Sequence, residues 1–417
     1  MKAVIMAGGL GTRIASVNSD VPKPMIPVLG KPILEYQIEN LKSCGLRDII
    51  LVTGHLGHII RDYFGDGSAF GVDINYFEER QPLGTAGALF QMRDALSEDF
   101  LLLNGDLIMD VDFGRFIAFH RSHNALASLM SHPNSHPYDS SLLVTDSESR
   151  VIRWMSKEDD RLYYKNRVNA GVQIISPELL AQSHPSAPKV DLDRELLKPA
   201  LASGRIFAYD TPEYIKDMGT PDRLKEVEAD LASGKVKARN LSHKQKAVFL
   251  DRDGTLNRYV GFLTKPEQLE LLPGAAEGVR AINRSGYLAI VVTNQPVIAR
   301  GECTFETLEE IHDKLETELG KSGAYLDAIY LCPHHPDSGF EGERPEFKID
   351  CDCRKPKPGL LLRAAEDFNI DLSQSIMIGD GERDVQAGVN AGCKASRLLH
   401  DGETLPEVLE KLGFSFQ

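Results

Sequence analysis

The sequence predicts an α/β protein built as two successive domains, and three observations predict it. At 417 residues the chain is too long for one ordinary core, so two or three domains are expected. Short apolar runs lead into glycine or aspartate: KAVIM before Gly8, LLLNG before Asp106, KAVFL before Asp251 and IMIG before Asp380. Helical stretches separate them, an alternation that gives sheets covered by helices. The basic, aperiodic residues 233–244 read as a linker between a domain over 1–232 and another over 245–417.

Apolar residues make up 42% and charged residues 26% of the chain, the balance of a soluble globular protein. A net charge of −14 argues against nucleic acid or an anionic membrane as partner. No apolar run approaches the roughly 18 residues that span a bilayer, and the opening does not read as a signal peptide. The expected compartment is the cytoplasm, with reduced thiols. Six cysteines are too few for a disulfide scaffold, and Cys332, Cys351 and Cys353 crowd into one segment, which points to metal.

The first strand, residues 2–6, runs into Ala7-Gly8-Gly9-Leu10-Gly11-Thr12-Arg13. Glycines there let backbone N–H groups approach a phosphate or base closely. Pro22-Lys23-Pro24 is a stiff segment that would hold one lysine in a fixed place. A helix at about 33–44 and a strand over Asp48–Thr53 complete a β-loop-α-β opening with a parallel sheet. Residues 221–232, opened by a proline, read as a closing helix.

The pattern GGxGTR followed by PKP resembles the nucleotidyltransferases that make activated sugars from a sugar 1-phosphate and a nucleoside triphosphate. Four further stretches resemble that family in its own order. They are the base loop from Gln81 through Leu83-Gly84-Thr85, the strand ending at Asp106, Val168-Asn169-Ala170-Gly171-Val172, and Lys216-Asp217-Met218-Gly219-Thr220-Pro221. The resemblance implies a Rossmann-like domain with a mixed sheet. It also implies that Arg13 and the amides of Gly8, Gly9, Gly11 and Thr12 hold the β/γ-phosphates, and that Lys23 neutralises the α-phosphate. Gln81, Leu83, Gly84 and Thr85 would read the base, and Asn169 and Gly171 the sugar. Asp106 and Asp217 would share magnesium, and the sugar phosphate itself is the nucleophile.

Where the family often has Glu-Lys-Pro, this chain reads Trp154-Met155-Ser156-Lys157-Glu158. Lys157 is the expected sugar-phosphate ligand, with its acidic partner displaced. Trp154 suits either a sugar face or the core. The wording PLGTAGAL resembles mannose- and heptose-1-phosphate guanylyltransferases most closely, which implies GTP.

At the start of the second domain, Asp251 and Asp253 leave a buried strand two residues apart and so face one site. Carboxylates that close need a cation or a proton between them. D-x-D-G-T after an apolar strand resembles the nucleophile motif of haloacid dehalogenase-like phosphatases, and FLDRDGTLN resembles their histidinol-phosphate and heptose-bisphosphate branch. Thr293, Lys355 and Asp380 stand in the order of that family's remaining motifs. The resemblance implies a Rossmannoid domain and an aspartyl-phosphate mechanism. In it Asp251 attacks phosphorus, and Asp253 protonates the leaving oxygen and then activates water. That double role asks for an Asp253 pKa above its neighbour's. Thr293 and Lys355 would steady the phosphoryl oxygens, and Asn294, Arg300 and Arg354 would bind substrate. Asp251, Asp380 and the backbone carbonyl of Asp253 would hold magnesium. Asp384 suits either a role behind these groups or a helix first-turn charge. Related phosphatases often read TNQSGIARG, whereas Pro296-Val297 here reshape that loop.

Cys332-Pro333-His334-His335 and Cys351-Asp352-Cys353 give a C-x-H…C-x-C set suited to a closed, structural zinc site. The C-x-H of the resembling phosphatases favours His334 over His335. The polar loop between the pairs has no core of its own, so a metal clip would keep it ordered.

Two such domains imply consecutive steps in making GDP-heptose for surface polysaccharide. The first is hydrolysis of the 7-phosphate of D-glycero-α-D-manno-heptose 1,7-bisphosphate, and the second is guanylyl transfer from GTP to the 1-phosphate. The partners are then sugar phosphates and GTP. The oligomeric state is not legible. The alternatives are a mannose-1-phosphate guanylyltransferase fused to a histidinol-phosphate-type phosphatase, and a sugar-nucleotide-binding regulator with one inactive domain.

Overall fold

A computed structural model describes residues 1–9, 21–339 and 341–416. Gly11, Thr12 and Arg13 lie outside the described residues. The chain divides into two compact units. The first comprises Met1–His132, Leu143–Trp154 and Asn169–Asn240, and the second Pro133–Leu142, Met155–Val168 and Leu241–Gln417. Within residues 233–244, Lys235–Ala238 form a short helix of the first unit, with Val236 buried.

The strands before residue 240 are β1 (Ala3–Met6), β2 (Pro27–Val28), β3 (Lys31–Pro32), β4 (Asp48–Thr53), β5 (Asp73–Glu78), β6 (Phe100–Asn104) and β7 (Leu107–Asp110). They continue with β8 (Ala127–His132), β9 (Leu142–Thr145), β10 (Val151–Met155), β11 (Val168–Ile175), β12 (Ile206–Asp210) and β13 (Tyr214–Asp217). The main sheet runs β10-β9-β11-β6-β1-β4-β5, with β8 joined to β11 and β12 to β8. The stretch β5-β4-β1-β6 is parallel, and β11 turns antiparallel against β6, so the sheet is mixed. Both faces of β1 are covered: Ala3 and Ile5 enter one core, and Val4 enters the other. Burial on both sides explains why this strand reads as a continuous apolar run. Chain order reverses between β1 and β6, which leaves a crevice beyond their carboxyl ends, where Gly8 and Asp106 emerge.

The second unit's sheet is β14 (Ala247–Leu250), β15 (Leu288–Asn294), β16 (Ala328–Cys332), β17 (Ile376–Gly379) and β18 (Ala395–Leu398). It is parallel throughout, in the order β16-β15-β14-β17-β18. The reversal falls between β14 and β17, so Asp251 and Asp380 leave neighbouring strand ends. The segments Pro133–Leu142 and Met155–Val168 of this unit come from the chain's first half. The second is fastened to the helix Phe305–Gly320. Tyr164 N–H donates to Thr317 Oγ1 at 2.9 Å and Asn166 N–H to Glu316 Oε2 at 2.9 Å, and Arg167 pairs with Glu316 at 3.2 Å. Among the described residues, no helix is long and apolar enough to cross a membrane.

Candidate active sites

In the first unit, β1 ends at Met6 and delivers Gly8 into a crowded place. A Cβ there would lie 2.9 Å from Glu79 Oε2 and 3.2 Å from Gly54 N. Lys23, flanked by Pro22 and Pro24, opens a short 3-10 turn and is ion-paired with Asp106. Asp217 sits opposite Leu107 in the β13–β7 pair, and Met218 N–H donates to Asp106 O at 3.0 Å. The two expected magnesium carboxylates therefore occupy adjacent register positions. Each already has a cation from its own chain: Lys23 for Asp106, and Arg223 for Asp217 at 2.6 Å.

The loop Gln81–Thr85 is pinned to a neighbouring segment. Val190 N–H donates to Leu83 O at 2.9 Å, Ala86 N–H to Val190 O at 3.0 Å, and Leu192 N–H to Thr85 Oγ1 at 2.7 Å. Leu83 is core, Gln81 is exposed, and Thr85 spends its hydroxyl oxygen on the backbone. Gly171 has φ +74°, and a Cβ on it would lie 2.4 Å from Asn104 Nδ2. Its partner Asn169 caps its N–H at 3.3 Å. Trp154 belongs to the core with Leu143 and Val151. Lys157, expected at the sugar phosphate, is exposed on a turn of Met155–Val168, which belongs to the second unit and not the first.

Glu79, the residue just past β5, was not singled out by its sequence. Its Oε1 is buried and has no hydrogen-bond partner among the described residues. Burial raises its pKa, opposed by a hydrogen bond from the backbone of Leu83. A carboxylate oxygen left unpaired in such a place costs stability unless a ligand's donors meet it.

In the second unit the expected motifs converge. Lys355 is fully buried, and its ammonium lies 2.9 Å from Asp251 Oδ1, 2.7 Å from Asp384 Oδ1 and 2.7 Å from Val292 O. Asn294 clamps the Lys355 backbone from both sides, accepting its N–H at 3.0 Å and donating to its carbonyl at 3.1 Å. Ligand oxygens of Asp251, Asp380 and Asp384 lie within 4.8 Å of one another. Asp380 Oδ1 is buried without a hydrogen-bond partner among the described residues, as expected of an oxygen kept for a cation. The donor set, three carboxylate oxygens, suits magnesium. The set consists of side-chain oxygens, so the expected backbone carbonyl of Asp253 is not part of it, and Asp384 joins Asp251 and Asp380 as the third carboxylate.

The Asp253 carboxylate is instead saturated by donors. Oδ1 accepts from Arg252 Nη2 at 3.0 Å and Asn257 Nδ2 at 2.9 Å, and Oδ2 from Arg252 Nη2 at 2.8 Å and Gln295 Nε2 at 2.9 Å. Burial would raise its pKa, but Arg252 and the amide donors hold it below the usual carboxylate range. Asp251 goes the other way: burial, with the Asp384 charge adding, lifts it to about 6 despite Lys355. The two shifts run opposite to the expected order, because Arg252 lies against Asp253. Burial and the Asp384 charge also raise Asp380.

Gln295 also donates to Thr293 Oγ1 at 2.9 Å, which leaves the Thr293 proton free for a phosphoryl oxygen. Asp251, Asp253 and Thr293 line one cleft with Tyr259, Arg354 and Arg383. Arg300 lies over the Phe262 ring at 4.4 Å and pairs with Glu302 at 2.7 Å. Gln295, Arg252 and Arg383 were not singled out, although Arg252 and Gln295 stand inside the quoted motifs.

The second metal set is also assembled. Cys332 and Cys351 sulfurs are 3.5 Å apart, and Cys351 and Cys353 sulfurs 3.3 Å. His334 Nδ1 lies 3.7 Å from Cys332 and 3.4 Å from Cys353. His335 Nδ1 takes the N–H of Asp337 at 3.2 Å instead. Three thiols and an imidazole around one point fit zinc. Burial pushes the Cys353 thiol up to about 11, so binding would displace protons. Arg354 Nη1 donates to His334 O at 3.1 Å, tying this loop to the cleft.

Comparison with known proteins gives one family for each end of the chain, with ranges that overlap over residues 144–234. The nucleotidyl transferase family profile matches residues 2–234, and the haloacid dehalogenase-like hydrolase profile matches residues 144–392. The chain is 32% identical over 235 residues to mannose-1-phosphate guanylyltransferase of Mycobacterium tuberculosis, which covers 56% of this chain and 65% of the relative, just under two thirds of its length. It is 39% identical over 158 residues to D-glycero-beta-D-manno-heptose-1,7-bisphosphate 7-phosphatase of Haemophilus influenzae, covering 38% of this chain and 83% of that one. A solved structure described as a glucose-1-phosphate thymidylyltransferase of Bacillus anthracis superposes with a TM-score of 0.51 at 21% identity, over 55% of this chain and 94% of the other. That likeness establishes a shared fold alone. Each family profile spans more than half of the sequence, and the chain belongs to both the nucleotidyl transferase and the haloacid dehalogenase-like hydrolase families.

Proposed function

We propose that the chain carries two consecutive steps of GDP-heptose synthesis. Residues 245–417 hydrolyse the 7-phosphate of D-glycero-D-manno-heptose 1,7-bisphosphate. Residues 1–232 then transfer GMP from GTP to the heptose 1-phosphate, releasing pyrophosphate. The observation that carries the reading is a charged site at the switch point of each unit's sheet. One is built on Lys23 and Asp106, the other on Lys355, Asp251 and Asp384.

In the phosphatase, Asp251 attacks phosphorus and becomes an aspartyl phosphate, while Asp253, whose low pKa the negative charge of a bound phosphate would raise, gives a proton to the departing sugar oxygen. Asp253 then takes a proton from the water that hydrolyses the acyl phosphate, and inorganic phosphate leaves. Lys355 and the Thr293 hydroxyl hold phosphoryl oxygens, and Asn294 keeps Lys355 in place. Magnesium, held by Asp251, Asp380 and Asp384, would supply neutralisation of the phosphoryl charge. Zinc at Cys332, His334, Cys351 and Cys353 would be structural, with Arg354 aimed from the same loop at the substrate.

In the transferase, Lys23 and the amides of Gly8 and Gly9, with Arg13, would hold the triphosphate. Asp106 and Asp217 would hold magnesium there, and Asn169 and Gly171 the sugar. Glu79 supports guanine: a carboxylate accepts the N1–H and N2–H₂ donors together, whereas adenine offers a lone pair at N1. The phosphatase relative described above is named for the beta anomer. The α-anomer is proposed here because the second step is a guanylyl transfer.

Incubation with either anomer of the heptose bisphosphate, GTP and magnesium, followed by mass analysis, is expected to yield GDP-heptose from the α-anomer. A large preference for histidinol phosphate, or for mannose 1-phosphate as guanylyl acceptor, would establish the alternative pairing instead.

A further inference from the structure

The mechanism above uses neither of two buried polar side chains of the second unit, Arg252 and His312. Arg252 stands between the two motif aspartates and has no exposed surface. An arginine cannot shed its proton, so a buried one must be met by acceptors on every side. Its Nε and Nη2 face go to Asp253, and Nη1 lies 3.1 Å from His312 Nε2. The guanidinium has donors only, so His312 Nε2 carries the lone pair and the ring is neutral, with its proton on Nδ1.

The position of His312 is fixed from behind. It projects from the helix Phe305–Gly320, whose next turn receives Asn166 N–H and Arg167 at Glu316, and Tyr164 N–H at Thr317. A rigid acceptor thus holds one edge of Arg252, and the other edge of Arg252 sets where both Asp253 oxygens lie. Asn257 and Gln295 complete the cradle.

We propose that His312 is a positioning residue for phosphoester hydrolysis, acting through Arg252 to aim the Asp253 carboxyl at the leaving oxygen. The proposal rests on the phosphatase reading above. Without an acceptor at position 312, Arg252 turns to satisfy Nη1 elsewhere and takes Asp253 with it. Proton delivery to a poor leaving group then suffers, while nucleophilic attack by Asp251 does not.

The test uses the full chain, with His312→Leu and His312→Gln, the latter keeping an acceptor oxygen near Nε2. Two substrates are compared by kcat/KM, which reports formation of the aspartyl phosphate: a sugar phosphate, and p-nitrophenyl phosphate, whose aryl oxide leaves without a proton. For His312→Leu, kcat/KM with the sugar phosphate is expected to fall about 30-fold or more, within the usual reach of general-acid catalysis, and with the aryl phosphate less than about threefold. His312→Gln is expected to recover most of the loss. Retained zinc and the thermal midpoint report whether each variant folds, and if His312→Leu does not, His312→Gln against Arg252→Lys makes the same comparison. An equal fall on both substrates, or no fall at all, overturns the positioning role and leaves the phosphatase reading standing. A parent protein that hydrolyses no phosphomonoester removes that reading itself.

Discussion

Gly254 explains at the level of one atom why the acidic motif continues D-G. Its φ is +80°, and a Cβ there would stand 2.1 Å from Asp380 Oδ2. The turn must pass under the third carboxylate, and only glycine both adopts that φ and leaves the space. Charge balance at the same site is equally local: one buried ammonium, Lys355, meets Asp251 and Asp384 together. In the first unit the corresponding single-residue question concerns Glu79. If its unpartnered oxygen reads guanine, Glu79→Gln replaces one acceptor by a donor facing N1–H or N2–H₂. The kcat/KM ratio for GTP over UTP is then expected to drop at least about tenfold, since a misplaced polar group in a built site is strongly discriminated against. An unchanged ratio would assign base reading elsewhere.

At the scale of elements, the helix Phe305–Gly320 carries two neighbouring groups with opposite pH behaviour. Burial and the nearby Arg252 depress His312 to about 3, so it stays neutral in the fold. The unfolded chain takes up that proton below about 6.5. Its contribution to stability is therefore lost as pH falls from about 6.5 toward 3. Burial, with the charges of Glu316 and Glu309, raises Asp313 to about 7. It stays protonated in the fold where the unfolded chain has ionised, and its contribution is lost as pH rises from about 4 to 7. Between about pH 4 and 6.5 the two slopes oppose each other, each at most ~1.4 kcal/mol per pH unit. Asp313→Asn removes one of them. Relative to the parent, the variant is expected to gain about 1–3 kcal/mol on going from pH 4.5 to 7, read from thermal midpoints. A pH-independent difference would mean that Asp313 is ionised in the folded helix.

On the scale of the whole molecule, each unit has its own sheet, its own switch point and its own carboxylates. The two activities are therefore expected to be separable by mutation. Asp251→Ala should lower phosphate release more than about a thousandfold, as loss of a nucleophile does, and leave guanylyl transfer to supplied heptose 1-phosphate within about twofold. Asp106→Ala should do the reverse. Loss of both activities in either variant would contradict the assignment of one reaction to each part of the chain.

The sequence by itself determined whatever is written in short range. Strands buried on both faces betray themselves as apolar runs, so β1, β6, β14 and β17 and the groups at their tips were legible. A metal set such as Cys332, His334, Cys351 and Cys353 is legible because its ligands come in close pairs. Tertiary structure alone decided what depends on distant segments meeting. Arg252 finds His312 sixty positions away, one Glu79 oxygen is left without a partner among the described residues by what packs around it, and Asp384 joins Asp251 and Asp380 as a third carboxylate. Met155–Val168, with Lys157, joins the second unit because Glu316 and Thr317 supply acceptors that its backbone and Arg167 require. A buried donor takes whichever acceptor the fold brings near, and that choice has no periodicity to be read in advance.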